Sequence, residues 1–338
     1  MKLSALLLPA ALLLSLLTGC DALNTLSDAK RNSSQGAPYE VVAVCTQPQW
    51  EGPLGDTLRT ILRQPDPYLN STEPLFNLFQ VTPRNLTKIV REHRNLIQVE
   101  IDPSIAEPAV EVQYDVTASP QVVLQMRAAS EAALAGYLSA NSESLLQLLE
   151  KAERDRSIAY ARNYNEEFIG EQIEKTFGVR MDVPKGYTLA KQSGDFIWVR
   201  YEYPAASKGF MLYSTPYRGK MSLSEGELLA NRLKFAAEIP GPSDGSYMTT
   251  SPVFPPQYRL VKIDGRIWAE LRGFWDVEND FMGGPFVSYS TLDEASGRVL
   301  TLDGYIYSPK LDKRNFMRDV EHLVYLIDFP APETAEEQ

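Results

Sequence analysis

The chain has 338 residues, 44% of them hydrophobic, and sets 33 Lys and Arg against 44 Asp and Glu for a net charge of −11. This is a globular composition, long enough for two domains with substantial cores, and its acidity argues against a clustered cationic face for nucleic acid. Two cysteines and two widely separated histidines exclude a disulfide framework and a zinc-ligand cluster of the usual kind.

Residues 1–20, MKLSALLLPAALLLSLLTGC, combine Lys2, an apolar run over 3–17 and small residues just before Cys20. The pattern predicts a bacterial secretion signal over 1–19, since the run is shorter than the roughly 20 residues a spanning helix needs. Leu17-Thr18-Gly19-Cys20 resembles the lipobox of bacterial lipoproteins. That resemblance implies cleavage before Cys20 and acylation of its thiol with palmitate-type chains; two or three such chains exceed the single-chain threshold for stable anchoring. Cleavage removes only Lys2 among the charged residues, so the processed chain is more acidic still. Residues 20–37 mix small and polar side chains without periodicity and predict a flexible tether. The expected location is the cell membrane or the outer membrane, reached by lipid anchor and facing the periplasm. Asp21, by resemblance to enterobacterial sorting signals, would favour the inner membrane, and the acidic cluster that marks surface-exported lipoproteins is absent.

From Tyr39 the run YEVVAVC predicts a strand, and the spacing of Leu54, Leu58, Ile61 and Leu62 an amphipathic helix. LFNLFQV, NLIQVEID and VEVQYDV read as strands and NLTKIVREHR as a helix. Ser119-Pro120 is expected to open a long helical stretch that runs to Phe177 without another proline, broken near residues 139–144. Within it, Glu150 and Arg154 read as a solvated i,i+4 pair. Residues 38–178 are therefore expected to form an α/β domain ending in long helices.

After Gly178 the pattern changes to short strands, turns and aromatics. Asp264-Gly265 predicts a two-residue hairpin between YRLVKI and RIWAEL, and residues 294–297 predict a second hairpin with a longer loop. LSEGELLANRLKFAAEI and KRNFMRDVEHLVYLI read as helices, and the proline-rich stretch 240–256 as a long surface loop. Residues 179–330 are thus expected to be an α+β domain, an antiparallel sheet with packed helices, followed by a disordered tail over 331–338. Its order of elements is similar to the PsbP/Mog1-like sandwich.

Few residues carry a chemical signal. Cys45 ends the first strand, where α/β proteins often place functional groups, but no local signature accompanies it, and it reads as a small buried hydrophobe. His322 sits near the end of the last helix, where a cation suits the helix dipole, and His93 is the other imidazole. The candidate ligand or hydrolase residues are Glu270, Trp275, Asp276, Glu278 and Asp280. The acids around Trp275 could gather oxygens for Ca²⁺, although the stretch lacks the glycine and glutamate of an EF-hand loop. Alternatively, Glu270 and Asp276 could form a glycosidase carboxylate pair. Trp198, Tyr201, Tyr203, Trp268, Phe274, Trp275 and Phe281 suffice for a stacking platform, yet sheet cores use the same residues. No G-x-S-x-G, H-E-x-x-H, Walker or dinucleotide motif occurs. Asp56-Thr57-Leu58 resembles the O-glycosylation triplet of Bacteroides-type bacteria but falls inside the predicted helix.

Several segments together resemble an uncharacterised lipoprotein family of Bacteroides-type bacteria, classed as a domain of unknown function. They are Pro38-Tyr39-Glu40-Val41 with Trp50, Arg94-Asn95-Leu96-Ile97 with Asp102-Pro103, and Ser119-Pro120-Gln121. They continue with Val183-Pro184-Lys185-Gly186-Tyr187, Gly194-Asp195-Phe196-Ile197-Trp198, Phe286-Val287-Ser288-Tyr289 and Lys313-Arg314-Asn315. The resemblance implies the lipid attachment at Cys20 and carries over nothing about mechanism. The expected function is a membrane-anchored envelope component that binds or assembles, with an envelope protein or glycan as partner and no nucleic acid. The alternative is an envelope hydrolase acting on glycan or peptide.

Overall fold

A computed structural model describes residues 31–330. The expected signal segment 1–19, Cys20, the first part of the expected tether and the tail 331–338 lie outside the described residues. The chain divides into two compact units, one made of residues up to 61 with 76–145, the other of 62–75 with the rest of the chain from 146. The division differs from the expected boundary at 178, because Ile169, Ile173 and Phe177 share a core with the C-terminal sheet.

In the first unit, β2 (Glu40–Val44) lies between β3 (Asn77–Val81) and β4 (Asn95–Ile101), both parallel to it. β7 (Val122–Ala128) continues the parallel set beside β4, and β5 (Ala109–Tyr114) closes the edge antiparallel to β7. Thr46 starts helix α1 (Gln47–Glu51) with a capping box: its hydroxyl accepts from the Gln49 amide, while the Gln49 side chain accepts from the Thr46 amide. The next helix, α2 (Pro53–Leu62), buries Leu54, Leu58, Ile61 and Leu62, the face its spacing predicts, and it contains Thr57 of the triplet.

Three expectations fail in this unit. Residues 122–128 are a strand rather than the start of a helix, because Val122, Val123, Leu124 and Met126 are buried within the sheet, where β-branched and apolar side chains pack well. NLTKIVREHR holds only a four-residue helix, α3 (Lys88–Arg91), before the chain enters β4. The end of the presumed tether is ordered: β1 (Asn32–Ser33) pairs with β6 (Ala118–Ser119), and Gln35 exchanges backbone hydrogen bonds with Glu92 and Arg94. Gly36 permits this with a φ of +94°, since a Cβ there would strike the His93 ring.

After α4 (Glu131–Ala140) come α5 (Ser142–Asn163) and α6 (Glu167–Phe177), broken near Asn141 as expected. The second unit is built on an eight-stranded antiparallel sheet. Its strands are β9 (Thr188–Ser193), β10 (Phe196–Glu202), β11 (Ser207–Pro216), β12 (Tyr247–Thr250), β13 (Gln257–Ile263), β14 (Arg266–Glu278), β15 (Gly283–Asp293) and β16 (Arg298–Tyr307). Their order is β12-β14-β15-β16-β11-β10-β9, with β13 also paired to β14. The hairpin at Asp264-Gly265 forms with positive φ at both residues, 45° and 84°, which is the requirement of a type I′ turn. The stretch 240–256 is not all loop, because Tyr247–Thr250 adds to the sheet edge through β14. That edge placement tolerates the flanking prolines.

Alternation along the strands gives the sheet two buried faces. Ile197, Val199, Phe210, Leu212, Trp268, Val287 and Leu302 pack against α6, α8 (Arg314–Glu321) and the 3-10 turn His322–Leu326. Phe196, Trp198, Met211, Tyr213, Leu271, Trp275 and Phe286 pack against α7 (Glu225–Ala236) and Ile239. The mixed α/β chain thus ends in a helix–sheet–helix sandwich around an antiparallel sheet. Among the described residues no helix is long and apolar enough to cross a membrane.

Candidate functional site

The residues of the expected acidic loop are placed in different surroundings. Trp275 is 2% exposed and its indole nitrogen donates to the Ile306 carbonyl at 3.0 Å, so it belongs to the core. Asp276 and Glu278 follow it at the β14 end paired with β12, and the Asp280 carboxylate accepts from the Ser243 hydroxyl and from the Phe281 amide. Among the described residues no group of three or more His, Cys, Asp or Glu side chains is placed to hold a metal ion. The aromatic platform also disperses: Trp198 and Trp275 serve one face of the sheet, Trp268 the other, while Phe281 is fully exposed.

Glu270 and Asp276 lie on one face of β14, but six residues of extended chain put them about 20 Å apart. A glycosidase pair needs about 5–9.5 Å. The two carboxylates therefore do not form such a pair.

Glu270 instead enters an ion network on the α8 side of the sheet. Its carboxylate accepts from Arg259 Nε at 2.6 Å and from Arg272 Nη2 at 3.2 Å. Arg272 also donates to the Tyr289 hydroxyl at 3.1 Å and to Glu321. Arg318 donates to Glu321 at 2.7 Å and to Asp66 at 2.9 Å, and it approaches Glu150. His322, buried at the end of α8, lies 3.6 Å from the same Glu150 carboxylate. Glu150 thus faces Arg318 and His322, where spacing alone suggested a solvated pair with Arg154. Arg154 stacks on Tyr325, 4.4 Å from its ring centroid, and donates to its hydroxyl.

This alternation of charge fixes the protonation of each carboxylate. Burial would raise the pKa of Glu270, but Arg272 and Arg259 outweigh it and hold the group below its ordinary value. Burial opposes ionisation of Glu321 too, and Arg272 with Arg318 bring it down to about 2. At neutral pH these carboxylates are anions with arginine partners, and none is a protonated acid able to donate to a leaving group.

The network floors a cleft of about 200 Å³ lined by Arg154, Arg259, Lys262, Arg272 and Arg318 against Glu150, Glu270 and Glu321. With Asp66, which pairs with Arg318, five cations meet four carboxylates, leaving the cleft one positive charge in excess within an acidic protein. Cys45 offers no alternative chemistry, since burial pushes its thiol up to about 11 and keeps it protonated. In the sequence only Glu270 marks this cleft; nothing there links it to Glu150, Glu321 and Arg318, which arrive from other elements.

Residues 166–325 match the family model of a domain of unknown function, DUF4837, and residues 34–162 match that of another, DUF8532. Each match covers less than half of the chain, and together they span most of the described residues. No curated protein matches it. Among solved structures, the Ran-binding protein Mog1p of Saccharomyces cerevisiae aligns with 8% identity and a TM-score of 0.31, covering 45% of this chain and 90% of its own. LpqN, described as involved in cell envelope biogenesis of Mycobacterium tuberculosis, aligns with 14% identity and a TM-score of 0.27, covering 44% of this chain and 83% of its own.

Proposed function

We propose that the protein is a membrane-anchored envelope lipoprotein of Bacteroides-type bacteria that works as a binding or assembly component. Acyl chains on Cys20 hold it and its body faces the periplasm. The anchor rests on the signal-like segment and Leu17-Thr18-Gly19-Cys20. The likeness of the second unit to the PsbP/Mog1 sandwich rests on its order of elements. The observation that carries binding over hydrolysis is the state of Glu270, which is buried, ionised and held by two arginines. Such a carboxylate serves as a counter-ion that fixes a cationic cleft, and the cation excess suits an anionic group on an envelope protein or glycan. The reading needs no cofactor.

The test is complementation of a deletion strain at native expression levels. Cys20→Ala should fail to complement while the exported body remains folded. Glu270→Gln, where it folds, should complement. Full complementation by the unanchored form overturns the anchor, and complementation by a folded Glu270→Gln protein excludes Glu270 as a catalytic acid.

A further inference from the structure

A second pocket on the same sheet face has different chemistry. It measures about 240 Å³ and is lined by Ser157, Tyr160, Tyr187, Tyr201, Tyr203 and Lys208, with Pro184, Lys185 and Asp319 completing the wall. The Lys208 ammonium lies 5.6, 5.3 and 5.7 Å from the ring centroids of Tyr187, Tyr201 and Tyr203, and donates to Asp319 at 2.6 Å. One face of α5 connects the two sites: Glu150 and Arg154 line the cleft, and Ser157, a turn further on, lines this pocket.

Three features define what the pocket can take. The tyrosine cage already holds the protein's own ammonium, so an external cation has no place in it. Lys208 is neutralised by Asp319 and Lys185 by Glu166 at 3.3 Å, so the pocket has no surplus charge for an anion. Pro184 is the one aliphatic residue in the wall, which argues against a fatty ligand. Hydroxyls, ammonium groups, a carboxylate and ring faces remain. Tyr187 closes the floor of the pocket: it is 3% exposed and its hydroxyl is shielded from solvent, so the polar groups open to a ligand are those of Tyr203, Lys208 and Asp319. At the rim, Tyr160 is 56% exposed and stands 5.1 Å from Tyr164, presenting aromatic surface to solvent.

We infer that this pocket binds a single neutral sugar ring, whose C–H face covers Tyr160 and whose hydroxyls meet Tyr203, Lys208 and Asp319. The volume lies below the range of about 300–1,000 Å³ usual for drug-sized ligands, which favours one ring over an extended oligosaccharide. This site does not depend on the lipid anchor, so it can fail or stand independently of the complementation result.

The test is a ligand-observed NMR titration of the full chain with methyl glycosides of glucose and N-acetylglucosamine, beside glucuronate and tetramethylammonium. A neutral glycoside should bind saturably in the millimolar range and the two ions should not. Tyr203→Phe should weaken binding roughly tenfold, because it removes a hydroxyl from the pocket wall and keeps the ring. Tyr160→Ala, at an exposed position that cannot threaten the fold, should weaken it roughly fivefold. Absence of saturable binding by either neutral glycoside overturns the proposal. So does saturation by either ion instead, or binding to both variants as tight as to the unaltered chain.

Discussion

Glu321 shows how far a single carboxyl can be moved by its partners. It sits on α8, 6% exposed, between Arg272 and Arg318, and its pKa falls from an ordinary 4.5 to about 2 against the opposing effect of burial. A depressed acid stabilises the fold above its unfolded pKa and loses that contribution as pH drops through the folded value. The gap corresponds to about 3 kcal/mol, present in full above about pH 5 and gone near pH 2. Urea midpoints measured across that window should fall with acidity, and Glu321→Gln should flatten the slope. Glu270, also depressed, acts in the same direction. Little of this was legible in the sequence, because Arg272 lies 49 residues from Glu321 and Asp66 lies 252 residues from Arg318.

Between elements, the strongest specific link on the α7 face is ionic. Arg232 of α7 and Asp303 of β16 are fully buried, with Nε 2.8 Å from the carboxylate, and the guanidinium lies 3.5 Å from the Phe286 ring centroid. Thr250 of the edge strand accepts a further hydrogen bond from Arg232 at 2.7 Å, so one side chain ties helix, central strand and edge strand together. Asp303→Ala leaves a buried cation without its carboxylate and should cost about 3–5 kcal/mol in urea unfolding. Replacing both partners, Arg232→Met with Asp303→Leu, should recover most of that loss, since no charge is then stranded. The elements themselves were largely readable: Asp264-Gly265 announced its hairpin and the leucine spacing announced α2. The strand over 122–128 was not, because an apolar run has no period that separates a buried strand from a buried helix.

For the whole molecule, charge is unevenly placed. The net −11 is a bulk property, whereas the arginine-lined cleft concentrates cations in one spot on the second unit. A short cationic cleft neutralises few phosphates, and the surrounding acidity repels a long polyanion. A labelled duplex oligonucleotide should therefore show no mobility shift at about 0.15 M salt, where the Debye length is about 8 Å. Both pockets described on the second unit draw on α5 and α8, the helices packed on one side of its sheet. The opposite side is closed by α7 over an aromatic core.

Local rules operate within a few residues, and they set what the sequence determined alone: the turn glycines, the helix faces and the change from mixed α/β to a strand-rich second half. Pairing across long stretches of chain is invisible to those rules, because it depends on which side chains the finished sheet and helices bring within a few ångströms. The tertiary structure alone decided that Trp275 is core, that Glu270 is a counter-ion held away from Asp276, and that Lys208 is enclosed by three tyrosines. In each case the deciding quantity is burial combined with the partner met there, and neither exists until the strands have paired and the helices have packed on them.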